Sequence, residues 1–229
     1  MEKPIIETKK LKKIYDESQV KIEALHGVSL TVKKGEFMAL AGPSGSGKTT
    51  LLNIIGGLDD PTSGEVIVSG NDLSTLSKAE LSNLRLFHIG FIFQAYNLIP
   101  VLSARENVEY VMLLQGVEET ERIERAERIL VDVGLKDYIN SRPSEMSGGQ
   151  QQRVAVARAI ISGPDVVLAD EPTANLDSKT GESLLLMMKK MNEDRGVTFI
   201  FSTHDKMVME HSRRLVVLRD GMISEDVVK

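Results

Sequence analysis

The chain has 229 residues, 41% hydrophobic and 27% charged, which is enough apolar material for a buried core and too much for a disordered tail. Only 4% is aromatic, Trp is absent and the net charge is −5, a balance that speaks against single-strand stacking platforms and broad basic surfaces for nucleic acid. The lack of Cys removes disulfide scaffolds, thiolate zinc sites and Cys nucleophiles.

No run reaches the roughly 18 apolar residues of a membrane span. The longest stretch free of charge, 89–104, is broken by Gly90, Gln94, Asn97 and Pro100. Residues 1–4 hold no apolar signal core, so the expectation is a soluble, cytosolic globular protein.

Along the chain, Val28, Leu30 and Val32 alternate with polar residues and Lys34-Gly35-Glu36 signals a turn, which predicts β structure up to about Gly35. Residues 37–41 form an apolar run that enters a Gly-rich turn, and 49–58 can follow as a helix. Further apolar runs at 65–68, 89–93, 166–169, 197–201 and 215–218 are mostly continuous, as expected of strands covered on both faces of a parallel sheet. Asp220-Gly221 predicts a closing hairpin with 222–224. Between Gln94 and about Ser162 the character is helical. There Glu118–Arg122, Glu121–Arg125 and Glu124–Arg128 are spaced for i, i+4 pairs on a solvated face, opposite Ile123, Ala126, Ile129, Leu130 and Val133. No internal repeat, low-complexity tract or linker interrupts this α/β pattern.

Gly42-Pro43-Ser44-Gly45-Ser46-Gly47-Lys48-Thr49 fits G-x-x-x-x-G-K-[ST], between a predicted strand and a predicted helix. Glycines let successive backbone N–H groups converge on one anion, and the helix N-terminus adds partial positive charge. Lys48 is placed to reach the β- and γ-phosphates of a nucleotide, and the Thr49 hydroxyl to ligate Mg²⁺. The apolar run at 166–169 ends in Asp170-Glu171. At the carboxyl end of a strand in a doubly wound sheet, Asp170 would hold Mg²⁺ through water and Glu171 would polarise the attacking water.

A second anion-type segment is Met146-Ser147-Gly148-Gly149-Gln150-Gln151-Gln152-Arg153, which puts a Ser cap and free N–H groups at another helix start. One chain with one triphosphate site has little use for two such starts. Two copies packed head-to-tail would use all four, each nucleotide lying between loops of opposite subunits.

These motifs resemble the ATP-binding subunits of ABC transporters over essentially the whole chain, with Met146 where Leu is usual before the signature Ser-Gly-Gly-Gln. The resemblance implies an α/β P-loop NTPase with a RecA-like mixed-sheet core, an N-terminal antiparallel β subdomain and an inserted α-helical subdomain. It implies one domain over 1–229, with 1–93 and 163–229 as core and 94–162 as helical insertion. Tyr15 matches the aromatic that stacks on adenine. Gln94 matches the residue that senses Mg²⁺ and γ-phosphate and leads to the membrane-subunit contact. Asp177 matches the loop that crosses between subunits, and His204 the switch that contacts γ-phosphate. The implied catalytic set is Glu171, His204, Lys48 and Gln94, and the implied Mg²⁺ set Thr49, Gln94 and Asp170. The implied ATP-binding set is Tyr15, Gly42, Ser44, Gly45, Ser46, Gly47, Lys48, Thr49 and Thr50, completed by Ser147, Gly148, Gly149, Gln150 and Asp177. Glu171→Gln is then expected to trap an ATP-bound dimer.

Residues 56–64 (Gly-Gly-Leu-Asp-Asp-Pro-Thr-Ser-Gly), Pro143-Ser144-Glu145 and 168–173 are similar to the branch that serves lipoprotein release and macrolide or peptide export. No membrane part follows within the sequence, so the stand-alone type is expected. That type docks on integral membrane permease subunits at the cytoplasmic face of the inner membrane, with a periplasmic adaptor reached through the permease, and takes no nucleic acid. The segment 95–100, with Tyr96 and Leu98, is the expected docking loop. The alternatives are a non-transport ATPase of this family, whose long coiled coil or second cassette is lacking, and an ATP-binding regulator that organises a membrane complex. Intact Glu171 and His204 favour turnover.

Overall fold

The computed structural model describes residues 3–17 and 20–229. The first two strands, β1 (Ile6–Glu17) and β2 (Val20–Val32), pair antiparallel. With β4 (Ser63–Val68) and β5 (Asn71–Asp72) they make a four-stranded antiparallel sheet in the order β2-β1-β4-β5. The second sheet is built from β3 (Phe37–Ala41), β6 (Ile89–Ile92), β7 (Val166–Asp170), β8 (Thr198–Thr203), β9 (Arg214–Arg219) and β10 (Met222–Val228). Its order is β10-β9-β3-β8-β7-β6, parallel except for the β9–β10 hairpin. Asp220 and Gly221 turn that hairpin with φ of 47° and 71°, the positive pair of a type I′ turn.

Every residue of β3 and β8 is buried, and alternation divides them between two cores. Phe37, Phe199 and Phe201 point to one face, where Phe37 meets Phe201 edge-on at 4.7 Å between ring centres. That face carries α3 (Ala104–Leu114), α4 (Glu119–Asp132), α5 (Gly148–Ile160) and α6 (Ser178–Arg195). Met38, Leu40, Ile200 and Val216 point to the other face, against α1 (Lys48–Ile55) and the antiparallel sheet. Two further helices, α2 (Lys78–His88) and α7 (Lys206–His211), complete the chain. The fold is thus the expected P-loop NTPase class, with a mixed sheet, an antiparallel β layer and helices between β6 and β7. No helix among the described residues is long and apolar enough to cross a membrane.

Three local expectations change. The helix expected over 49–58 starts at Lys48 and stops at Ile55, because Gly57 turns to φ 61° and Gly56 packs bare backbone on the Phe91 ring. Helix α2 was not anticipated. Its start is a Ser77/Glu80 capping box, but Leu84 is its one buried residue, too little for a visible periodicity. Of the three Glu–Arg pairs, only Glu121–Arg125 closes among the described residues, at 3.0 Å. Glu118 instead caps α4 by accepting from the Thr120 and Glu121 amides, and Arg122 donates to the Val117 carbonyl.

Candidate active site

The Gly-rich turn joins β3 to α1, and its shape is enforced from outside. A Cβ on Gly42 (φ 150°) would stand 2.1 Å from the Leu218 carbonyl oxygen of β9. On Gly47 (φ 98°) it would stand 2.5 Å from the Ala24 carbonyl oxygen of β2, whereas Gly45 (φ 78°) faces open space. Ala24 is the unpaired residue of a β-bulge, lying between the Leu25–Lys13 and Glu23–Ile14 pairs. The bulge seats its carbonyl on the turn. From the other side the Gly221 amide donates to the Ser46 carbonyl at 3.2 Å.

Within the turn, the buried Lys48 ammonium donates to the Gly42 and Pro43 carbonyls at 2.8 and 2.9 Å, so it arches back over the loop. The Ser46 hydroxyl is buried with no hydrogen-bond partner, an open polar atom under the loop. Thr49 donates its hydroxyl to both Asp170 oxygens, at 3.2 and 3.3 Å. This hydroxyl–carboxylate pair fits a hard divalent cation such as Mg²⁺. Among the described residues no group of three His, Asp or Glu side chains makes an all-protein metal site. A cation here would therefore be completed by phosphate and water oxygens, as Mg²⁺ prefers.

Glu171 follows at the mouth of β7 with φ 45°, an uncommon conformation for a residue with a side chain. Its amide still donates to the Ser202 carbonyl, so the strained backbone is clamped to β8. One carboxylate oxygen contacts His204 Nδ1 at 2.7 Å, and the other accepts from the Thr203 hydroxyl at 3.2 Å. A cleft of about 600 Å³ gathers Ser44, Gly45, Gly47, Lys48, Thr49, Thr50, Gln94, Asp170, Glu171 and His204, with Ala24 and Pro43.

The other anticipated residues lie apart from that cleft. Ser147 caps α5, accepting from the Gln150 amide while the Gln150 side chain accepts from the Ser147 amide. Gly149 abuts Thr180, where a Cβ would stand 2.5 Å from Cγ2. Asp177 caps α6 through the Thr180 amide and hydroxyl at 3.1 and 2.6 Å, bonds that hold its carboxyl below the ordinary range. None of 147–150 or 177 lines the cleft among the described residues. Tyr15 does not line it either. Its phenol donates to Asp59 at 2.7 Å.

Three contacts tie the two groups together and were not visible in the sequence. Asn175 donates its amide to the Gln94 carbonyl at 2.9 Å. The Tyr96 hydroxyl lies over Gly148, 2.7 Å from where a Cβ would be. Arg158 of α5 donates to the carbonyls of Tyr96 and Asn97, both at positive φ (59° and 50°). Residues 95–100 do form a loop, but its apolar side chains Tyr96, Leu98 and Ile99 are half-buried rather than fully exposed. Tyr96 is occupied with Gly148, and Leu98 packs on the helical core. The apolar surface lies beside it instead. A groove of about 590 Å³ along β6 is walled by Leu58, Leu86, Phe91, Phe93, Val111 and Leu114, with Arg85, Asn97 and Arg158 on its floor and rim.

Residues 25–174, which include both Gly-containing loops and the Asp-Glu pair, match the model of the family described as ABC transporter. The chain belongs to the ABC transporter family. Over 221 residues it is 48% identical to an uncharacterized ABC transporter ATP-binding protein of Thermotoga maritima, covering 96% of this chain and 94% of that one. It is 45% identical to the macrolide export ATP-binding/permease protein MacB of Brucella melitensis over 226 residues. That match covers 99% of this chain and 35% of MacB, so the chain spans about a third of that relative's length. Among solved structures it is similar to the cassette MJ0796 in a dimeric post-hydrolysis state bound to ADP and Pi. The TM-score is 0.90 at 43% identity, with 97% of this chain and 98% of that one covered. The chain is an ABC ATP-binding subunit and an ATPase.

Proposed function

We propose that this cassette powers export or release of a lipoprotein, macrolide or peptide through separate integral membrane permease subunits. The observation that carries the proposal is the split site. One helix start, at Lys48, opens into the cleft with Glu171 and His204, while the other, at Ser147, opens elsewhere. A second copy packed head-to-tail brings its Ser147, Gly148, Gly149, Gln150 and Asp177 to the nucleotide held by Lys48 and the Gly42–Thr50 loop. The dimeric state of the similar cassette MJ0796 supports this arrangement.

In this reading the backbone amides of the loop and the Lys48 ammonium bind the β- and γ-phosphates, and Tyr15 carries the adenine. Thr49, Asp170 and Gln94 would hold Mg²⁺, which when bound would supply charge neutralisation at the phosphate oxygens. Glu171 accepts a proton from the attacking water, and its bond to His204 keeps the carboxylate aimed. Loss of the γ-phosphate removes the bridge between the copies and shifts the pair toward its open form.

The groove along β6 is the proposed permease contact. It includes Phe93 and Asn97, which flank Gln94 in sequence, so its occupant senses the cleft through a few residues of backbone. The subunit then sits peripherally on the cytoplasmic face of the membrane, with a periplasmic adaptor engaged through the permease. The name of MacB supports export as the direction.

The test is light scattering of Glu171→Gln at saturating Mg-ATP, alone and with Ser147→Arg. The expected result is a dimer that the second change dissolves. A Glu171→Gln protein that stays monomeric while binding ATP would contradict the head-to-tail model.

A further inference from the structure

The turn after α1 is clasped to β1 more tightly than a connection requires. Lys13 donates from its ammonium to Asp59 at 2.6 Å and to the Asp60 carbonyl at 2.7 Å, and its side chain is only 12% exposed. The Thr62 hydroxyl accepts from the Ile14 amide at 2.9 Å, and the Thr62 amide donates to the Lys12 carbonyl at 2.9 Å. At the centre of the clasp the Tyr15 phenol donates to the second Asp59 oxygen, and the Lys13 ammonium lies 4.7 Å from the centre of the Tyr15 ring. Asp59 therefore accepts from two β1 side chains at once, Lys13 on Oδ1 and Tyr15 on Oδ2, while Oδ1 also accepts from the Asp60 amide at 2.8 Å.

The clasp sits at the rim of the cleft. Tyr15 pairs across the sheet with Ile22, an exposed apolar side chain on β2, and two residues further on the bulged Ala24 lines the cleft. Thr50, beside the phenol, also lines it. The ammonium covers one face of the half-buried ring, which leaves the opposite face as the one a flat partner would take. Burial pushes the Tyr15 phenol up, so it stays protonated and donating. Burial would push the Asp59 carboxyl up as well, but the bonds from Lys13 and Tyr15 hold it below the ordinary range, so it stays ionised.

We propose that Asp59, held by Lys13, is a positioning residue that fixes the Tyr15 ring for the nucleotide base and so sets the preference for a base-bearing triphosphate over bare triphosphate. The inference rests on the reading of Tyr15 as the base platform. Among the described residues Asp59's own hydrogen-bond partners are Lys13, Tyr15 and the Asp60 amide, none of them in the phosphate loop. Asp59 therefore acts on the base end of the ligand only, and its effect is absent for a ligand that has no base.

The experiment compares calorimetric binding of Mg-ATP and of Mg-tripolyphosphate to the full chain and to Asp59→Ala, Asp59→Asn, Lys13→Met and Tyr15→Leu. Asp59→Ala is expected to weaken ATP roughly tenfold, within the range that base–aromatic stacking supplies. It leaves tripolyphosphate within about twofold. Asp59→Asn, which keeps an acceptor for the phenol but repels the ammonium with its own amide donor, is expected to lose less. Lys13→Met shifts ATP in the same direction. Equal losses for both ligands would show that Asp59 only supports the loop and would overturn the proposal. Tyr15→Leu losing ATP selectively while Asp59→Ala does not would also overturn it, since the ring would then need no positioning. If Tyr15→Leu itself leaves ATP affinity unchanged, the base-platform reading fails first and the inference with it.

Discussion

Gly45 and Gly47 sit two residues apart in the same turn, both at positive φ, and their surroundings predict unequal consequences for the same substitution. An Ala at either position incurs the handedness penalty of an L residue there, about 1–2 kcal/mol. At Gly45 nothing lies within 4 Å of the new methyl, so the cost should end there. At Gly47 the methyl would meet the Ala24 carbonyl oxygen at 2.5 Å and Leu25 Cδ2 at 2.9 Å. The carbonyl belongs to a bulged strand, so it cannot rotate away like a flexible side chain, and overpacking of this kind adds about 1–3 kcal/mol. The totals are about 1–2 kcal/mol for Gly45→Ala and about 2–5 kcal/mol for Gly47→Ala. In a domain of this length each kcal/mol lowers Tm by about 2–4 °C, so the two variants should be several degrees apart. Thermal unfolding without nucleotide reads the difference before any ligand contributes. Equal shifts, or a larger one for Gly45→Ala, would refute the view that β2 shapes this turn.

Glu171→Gln should lower ATP hydrolysis by about 10²–10⁴-fold while leaving Mg-ATP binding in place, measured by phosphate release and equilibrium titration. Retention of more than half the activity would remove Glu171 from its assigned role. Arg158→Met deletes two charge-assisted bonds to the carbonyls of Tyr96 and Asn97, each worth about 1.5–3 kcal/mol before relaxation. Amide hydrogen exchange should accelerate within 95–99 and leave α6 unchanged; unchanged exchange in the loop would count against the tether. Burial alone would push the Asp165 carboxyl up, but His88, Ser69 and Lys34 hold it below the ordinary range. A depressed folded pKa gives stability that is full above the unfolded value near 4 and lost as pH falls through the folded value. Asp165→Asn should therefore destabilise at pH 7 by chemical denaturation, with the gap to the parent narrowing below about pH 4. A gap that is constant from pH 7 to pH 3 would contradict it.

The fold class and the cleft were legible because each is encoded by neighbours in sequence. Strand, Gly-rich turn and Lys48-Thr49 all lie within 37–49, and Asp170-Glu171 ends one apolar run. The unread parts depend on distant partners. Asn175 is an unremarkable polar residue until it meets the Gln94 carbonyl, 81 positions away. Arg158 carries the same charge as other helix arginines, yet it is half-buried and donates to two carbonyls of a left-handed turn. The Glu–Arg spacing on α4 was read correctly as spacing, but Glu118 found two backbone amides at the helix start, and capping outcompeted the ion pair. In the loop 95–100 the extent of exposure was the unread part. Composition shows that Tyr96 and Leu98 are apolar, and only tertiary packing shows that both are already engaged.

The Gly221 amide bound to Ser46 and the Leu218 carbonyl packed on Gly42 have a consequence for the order in which the molecule is assembled. The phosphate loop is encoded early, but its walls come from the β9–β10 corner more than 170 positions later. On a ribosome, the first 200 residues to emerge would include Lys48, Thr49 and Asp170 and still lack the part of the mould that β9 and β10 supply. The loop therefore gains its full set of described contacts only after residue 221 is free to fold. The strand that leads into the loop, β3, likewise gains neighbours on both sides only when β9, far along the chain, pairs with it.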